Sequence, residues 1–250
     1  MNNKNKVTDN PAMPSFFSDP AAALQSYRKL GYHIETGVWT PTELDALLQA
    51  TEILPSFVEK IYKPAMHPHR SNSTFMAALK NPRIILVMEH LLGGKVSGIQ
   101  TELFYSPLGT HGFARHQDNH YVEAGQETFA SAWTALVDVT PHNGSLIVWP
   151  GTHREPILPT EPVPVPKGSA SQDPNAHKQQ VVLPPGYQAM DVPVKRGSVV
   201  FIHGHMVHAS NKNASMDFRR ALLMTYVRRG EHFRPGNTAK RSEVDVYTKS

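Results

Sequence analysis

The 250-residue sequence predicts an α+β domain, mainly β, in which N-terminal helices cover one sheet of a β-sandwich. Three observations predict it. Helical periodicity and capping signals fill residues 15–94. From Val96 onward short apolar runs alternate with turn residues, to about residue 230. No internal repeat or second apolar core separates the two parts, so residues 15–250 read as a single domain. Residues 1–14 carry Asn, Lys and Pro without apolar periodicity and read as a flexible tail.

In chain order, Ser18 can cap a helix that has Pro20 in its first turn, good helix formers from Ala21 to Lys29, and Gly31 as its stop. Tyr32-His33-Ile34 follows as a short strand. Thr40-Pro41-Thr42-Glu43 is a capping box with proline at the first helical position, leading into Leu44, Leu47 and Leu48 on one face. A further helix starts at Asn81-Pro82, spaces Ile84, Val87, Met88 and Leu91 at i, i+3, i+4 and i+7, and stops at Gly93-Gly94. Strands are expected over 96–106, 114–121, 132–139, 146–149, 198–202, 206–209 and 219–227. Asn143-Gly144 tolerates positive φ at both residues and signals a hairpin between the third and fourth of these. Residues 155–192 hold eight prolines and read as an active-site lid or a surface loop.

The formal net charge is +4 and the sequence pI near 9.2, but the basic residues are scattered, with local pairs only at Arg219-Arg220 and Arg228-Arg229. That pattern argues against nucleic-acid binding and suits an anionic or zwitterionic small-molecule substrate. Without cysteine there are no disulfides, thiolate metal sites or cysteine nucleophile, so any metal must be held by nitrogen and oxygen. No apolar run approaches the ~18 residues of a membrane span, and no leader-like apolar stretch follows the polar start, so the expected location is the cytoplasm.

The chemistry centres on Arg115-His116-Gln117-Asp118-Asn119-His120-Tyr121. Along a strand alternate side chains share a face, so His116 and Asp118 point the same way, with His120 beside them. Two histidines and a carboxylate on an iron(II) ion leave three of six positions open, which suits a cosubstrate and dioxygen. The second histidine has three candidates, His203, His205 and His208, in the apolar stretch 200–208. Beyond it, the turn residues 210–215 bring Arg219 back alongside His208. An arginine there can take a carboxylate in bidentate fashion, as a dicarboxylate chelating the metal through its other end requires. His153, in Pro150-Gly151-Thr152-His153, reads as a turn residue, and Trp149 and Tyr226 as core.

Five pieces in order make the chain resemble the phytanoyl-CoA dioxygenase family of Fe(II)/2-oxoglutarate oxygenases. They are His116 to Tyr121, Trp133 to Asp138, Asn143 to Leu146 running into Pro150 to His153, Gly197 to Phe201, and His208 to Arg219. The resemblance covers roughly residues 96–229. It implies a double-stranded β-helix, the cupin-like jelly roll, over about 95–230, with the metal at one mouth. Carried over by position, it implies that His116, Asp118 and His208 bind Fe(II). Arg219, assisted by Ser210, then grips the far carboxylate of 2-oxoglutarate, with Gln100 and Trp133 lining the cosubstrate pocket. Within the resemblance, His208 stands at the family's interval from Arg219. The implied reaction consumes 2-oxoglutarate and O2 and hydroxylates a small polar metabolite, releasing succinate and CO2. The carboxylate at Asp118 favours this over halogenation, because halogenating relatives lack it. His111, Arg115, Asn119, His120 and Tyr121 are candidate substrate contacts. Two other functions fit less completely. A non-catalytic jelly-roll binding protein has no need of His116, Asp118, His208 and Arg219 together, and a zinc hydrolase leaves Arg219 and Ser210 without a task.

Overall fold

The computed structural model describes residues 12–54, 58, 64–163 and 178–247. The expected tail therefore lies outside the described residues except at 12–14, and so do residues 164–177 of the proline-rich segment.

The helical layer forms as its capping signals require. Helix α1 (Pro20–Leu30) stops at Gly31, whose φ is 84°, and is capped by Asp19, which accepts from the Ala22 amide, rather than by Ser18. Strand β1 (Tyr32–Glu35) follows. Helix α2 (Pro41–Glu52) carries the full capping box, with Thr40 and Glu43 satisfying each other's amides. After the two-residue strand β2 (Ala65–Met66) comes helix α3 (Ser73–Leu79), capped by Asn72, which the sequence reading missed because seven residues show too little periodicity. Helix α4 (Pro82–Leu92) is capped by Asn81 and ended by Gly93.

The remaining strands are β3 (Val96–Ser106), β4 (Phe129–Ala135), β5 (Leu146–Val148), β6 (Thr160–Pro162), β7 (Gln179–Val181), β8 (Met190–Val192), β9 (Val199–His203), β10 (His208–Ser210) and β11 (Arg219–Arg228). Among the described residues they make a larger sheet in the order β1-β9-β4-β11-β3-β2, a smaller sheet β10-β5-β8, and the hairpin β6-β7. Alternation sorts the larger sheet's two faces. Val199, Phe201, Leu222, Met224 and Tyr226 pack against the helices, whereas Val200, Ile202, Trp133 and Ala221 meet Leu146, Val148 and Val192 of the smaller sheet. The expected helices on one sheet of a sandwich are thus what the chain builds, and the two sheets do not close into a barrel among the described residues. No helix of the described residues is long and apolar enough to cross a membrane.

Three further expectations are overturned, the first being that the strand of Arg219 returns alongside His208, since β10 and β11 belong to different sheets. Residues 114–121 are not a strand: His116 makes a single antiparallel bridge to His208, and the chain then turns into the short helix α5 (Asn119–Val122). The Gln117 side chain pulls the backbone out of the ladder by bonding Pro156 O, His205 O and the Leu158 amide, and Asn119 N donates to Gly204 O. Asn143-Gly144 is not a hairpin turn either, because the strands on its two sides, β4 and β5, belong to different sheets. Its positive φ, 102° at Gly144, instead ends a 3-10 turn, Pro141–Asn143, in which Asn143 Oδ1 accepts from Thr140 N at 2.7 Å. The proline-rich segment, expected as a loop, contributes the arms β6 and β7, docked through Val181 N to Arg115 O and Leu158 N to Gln117.

Candidate metal and cosubstrate site

The site begins with a backbone exchange. His116 N donates to His208 O at 2.9 Å and His208 N to His116 O at 3.0 Å, which sets the two imidazoles side by side with centroids 4.1 Å apart. Asp118 has right-handed helical dihedrals (φ −57°, ψ −37°), so it swings toward those rings through a turn and not through strand alternation. Its Oδ1 stands 3.5 Å from His116 Nε2 and 3.7 Å from His208 Nε2. One donor atom from each residue falls within 4.8 Å of the others, and no other three His, Asp or Glu among the described residues converge so closely.

The outer contacts leave the inner atoms available. His116 Nδ1 donates to Ala114 O at 2.8 Å and His208 Nδ1 to Met206 O at 3.0 Å, which fixes both tautomers with the Nε2 lone pair facing the carboxylate. Ser131 donates to Asp118 Oδ2 at 2.7 Å and so occupies the oxygen turned away from the histidines. Burial raises the Asp118 carboxyl, but His208, His116 and the Ser131 hydroxyl outweigh it and hold the group far below the usual carboxylate range. Burial, then His116, pushes His208 down to about 4. An ionised carboxylate and a neutral imidazole are the forms that bind a divalent cation, so this donor set fits iron(II).

The triad opens into a cavity of about 820 Å³ that Gln100, Trp133, Ser210, Arg219 and Tyr121 also line. Arg219, at the first position of β11, is 3% exposed. Its Nη2 donates to Ser106 Oγ at 3.0 Å, and its guanidinium lies 6.0 Å from the ring centroids of both Phe104 and Trp133. Ser210 Oγ accepts from Phe113 N at 2.9 Å, which leaves its hydrogen to donate into the cavity. Gln100 carries a different burden, accepting from Arg241 Nε at 2.7 Å.

The other expected contacts scatter. His120 is exposed on α5 and, with Arg115, borders a small neighbouring cleft. Arg115 reaches Glu161 at 4.0 Å. His111 is exposed and lines neither space. Asn119 is buried and spent on Ala124 and His205. Of the histidines left open by the sequence, His203 and His205 face away from the triad, toward Glu127 and toward Asn119 and Glu155 O. Sequence reading missed Ser131, whose role depends on β4 lying beside the turn at Asp118, and Arg241, which sits in irregular chain and carries no local signal.

Comparison with known proteins gives the chain a family. The family model described as phytanoyl-CoA dioxygenase (PhyH) matches residues 15–221. A peroxisomal phytanoyl-CoA dioxygenase of Bos taurus is 26% identical over 200 residues, 76% of this chain and 56% of that protein. An ectoine dioxygenase of Bordetella parapertussis is 27% identical over 249 residues, 84% of this chain and 76% of that protein. The chain spans about half the length of the peroxisomal relatives it matches. Among solved structures, the epimerase SnoN in complex with Fe3+, alpha ketoglutarate and nogalamycin RO superposes with a TM-score of 0.69 at 22% identity, covering 87% of this chain and 88% of that one.

Proposed function

The chain belongs to the phytanoyl-CoA dioxygenase family, and on that premise we propose that residues 15–250 form one Fe(II)- and 2-oxoglutarate-dependent dioxygenase domain. In this reading it hydroxylates a small polar molecule and releases succinate and CO2. The observation that carries the reading is the pairing of a ligand-ready His116, Asp118 and His208 triad with a buried arginine in the same cavity.

His116, Asp118 and His208 would hold the iron. When bound, it supplies the activation of dioxygen and the oxidising power for cleaving a substrate C–H bond. The protein's own residues orient and exclude. The Ala114 and Met206 carbonyls keep both imidazoles in the donor tautomer, and Ser131 keeps Asp118 turned inward. Arg219 would bind the far carboxylate of 2-oxoglutarate, helped by the Ser210 hydroxyl, so that the keto-acid end faces the triad. Phe104 and Trp133 keep water from that guanidinium, and a charge-assisted contact gains strength in such surroundings. Trp133 would thus wall the cosubstrate end. Asp118 takes the position that a halide would need, which supports hydroxylation over halogenation.

Anaerobic titration of the Fe(II)-loaded protein with 2-oxoglutarate tests the reading. Bidentate chelation should produce a weak visible metal-to-ligand charge-transfer band that disappears in Asp118→Ala. Iron binding without the band would leave a binding protein as the better reading.

A further inference from the structure

The large cavity has a second basic wall, which the cosubstrate reading does not use. It is built by the chain beyond β11. Residues 231–247 run back across β2 and the N-terminal half of β3, and the sheet holds them firmly. His67 Nε2 meets the Ala239 carbonyl, Arg70 Nη2 donates to Lys240 O at 2.6 Å and to Ser242 Oγ at 3.1 Å, and Gly98 and Val244 exchange two backbone bonds of 2.8 and 3.1 Å. The stretch from Arg234 to Ala239 lines the cavity, as does Arg241.

Arg241 is held by neutral acceptors. Nε donates to Gln100 Oε1 at 2.7 Å, and Nη1 donates to Tyr121 O at 3.0 Å and Arg234 O at 3.3 Å. Of the guanidinium's five N–H groups these contacts take three, leaving the two on Nη2 without a partner among the described residues, and Arg241 forms no ion pair there. Burial lowers its pKa, against the Asp118 and Glu102 carboxylates, yet a guanidinium stays charged at neutral pH. A fixed cation with two free donors facing a cavity is a preorganised anion receptor. It is not the cosubstrate's receptor. Gln100 and Ser106, which hold Arg241 and Arg219, are six residues apart on β3, about 20 Å along the strand, so the two guanidinium groups are tied to separate places along it. Met66, Val122, Phe129 and Leu223 add apolar wall, and a cavity of about 820 Å³ has room for a second small molecule beside 2-oxoglutarate.

We propose that Arg241, positioned by Gln100, anchors the primary substrate, which is therefore a small molecule with a carboxylate or phosphate at one end and an apolar body reaching toward the triad. The assignment rests on the reading of Arg219 as the cosubstrate's anchor.

The test is calorimetric titration of the anaerobic Fe(II)- and 2-oxoglutarate-loaded full chain with hexanoate, hexyl phosphate and hexylammonium, whose apolar bodies match. Wild type should bind one of the two anions, the better one naming the head group, in preference to the ammonium. Arg241→Gln should weaken that anion about ten- to hundred-fold, and Arg241→Lys should recover part of the loss. Gln100→Glu, which sets a carboxylate against Nε, should weaken it too. Meanwhile the 2-oxoglutarate titration of Arg241→Gln should follow wild type. The assignment is overturned if no probe binds wild type, if the ammonium is preferred, or if Arg241→Gln binds the anion as wild type does and only Arg219→Ala loses it. A wild-type protein without the charge-transfer band overturns the cosubstrate reading instead, and the same titrations on metal-free protein then decide Arg241 separately.

Discussion

Two histidine clusters meet in the stretch between β9 and β10, and they have opposite surroundings. On one side His203 and His205 join His153. His153 Nε2 donates to Arg28 O, His205 Nδ1 donates to Glu155 O while its Nε2 accepts from Asn119, and His203 Nδ1 accepts from the His205 amide. These rings are buried, line no described cavity, and hold elements together: α1 to the 3-10 turn at Thr152–Arg154, and β9 to α5. His153 also explains Gly31, since a Cβ at Gly31 would collide with the imidazole and its φ of 84° already disfavours side chains. On the other side His116 and His208 spend only Nδ1 on the backbone and turn Nε2 toward Asp118 and open space. The same residue type is a rivet in one cluster and a ligand candidate in the other. The difference lies in whether two imidazole nitrogens converge on one carboxylate beside a cavity, as those of His116 and His208 do at Asp118, or are buried separately, as in His153 and His203.

That contrast can be broken from either side. The largest effect is expected at Asp118: Asp118→Ala should lower iron affinity by a hundredfold or more, on the order of the upper end for metal-site contacts, and abolish succinate formation while circular dichroism stays native. Next, Arg219→Ala should raise the 2-oxoglutarate requirement with iron binding little changed, since losing a buried charged contact costs about 2 to 5 kcal/mol. A half-saturation equal to wild type would transfer the anchor to another residue.

In the closed cluster the expected readout is stability. Burial first, with His203 and Arg154, against the Arg28 carbonyl and Glu127, holds His153 down at about 4 from 6.5. Because the folded pKa lies below the unfolded one, the unfolded chain takes the proton first. The stabilisation is complete above about pH 6.5 and is lost as pH falls toward 4, by up to about 3 kcal/mol. Urea midpoints measured between pH 7 and pH 4 should therefore fall less steeply in His153→Gln. An equal slope would assign the acid sensitivity elsewhere. His205→Ala, which strands Asn119 and Glu155 O, should cost about 1 to 3 kcal/mol and leave iron affinity alone; a loss of iron affinity without a loss of stability would merge the two clusters. The smallest effect belongs to Ser131→Ala, which frees Asp118 Oδ2 and should weaken iron about tenfold without shifting the thermal midpoint.

Much of this is legible in the sequence. The capping box at Thr40, the helix start at Asn81-Pro82, the apolar strand runs that become β9 and β11, and the arrival of Arg219 at the start of β11 are all local patterns, and the structure contains them. His116 and Asp118 were legible as a pair for a reason that the structure replaces: they converge because Asp118 turns helical, not because a strand alternates. The choice of His208 over His203 and His205 rested on the family resemblance, through its interval from Arg219, since all three occupy the same apolar run.

By itself the sequence determined the elements, their order, and which residue types could hold a metal, because caps, periodicity and turn residues act over a few neighbours and need no knowledge of the rest of the chain. Only the tertiary structure decided that His208 joins His116 and Asp118, that Ser131 backs Asp118, and that Arg241 faces the cavity from the far end of the chain. Those facts are set by partners 13 to 141 residues away, and contacts at such separations exist only after the sheets have packed.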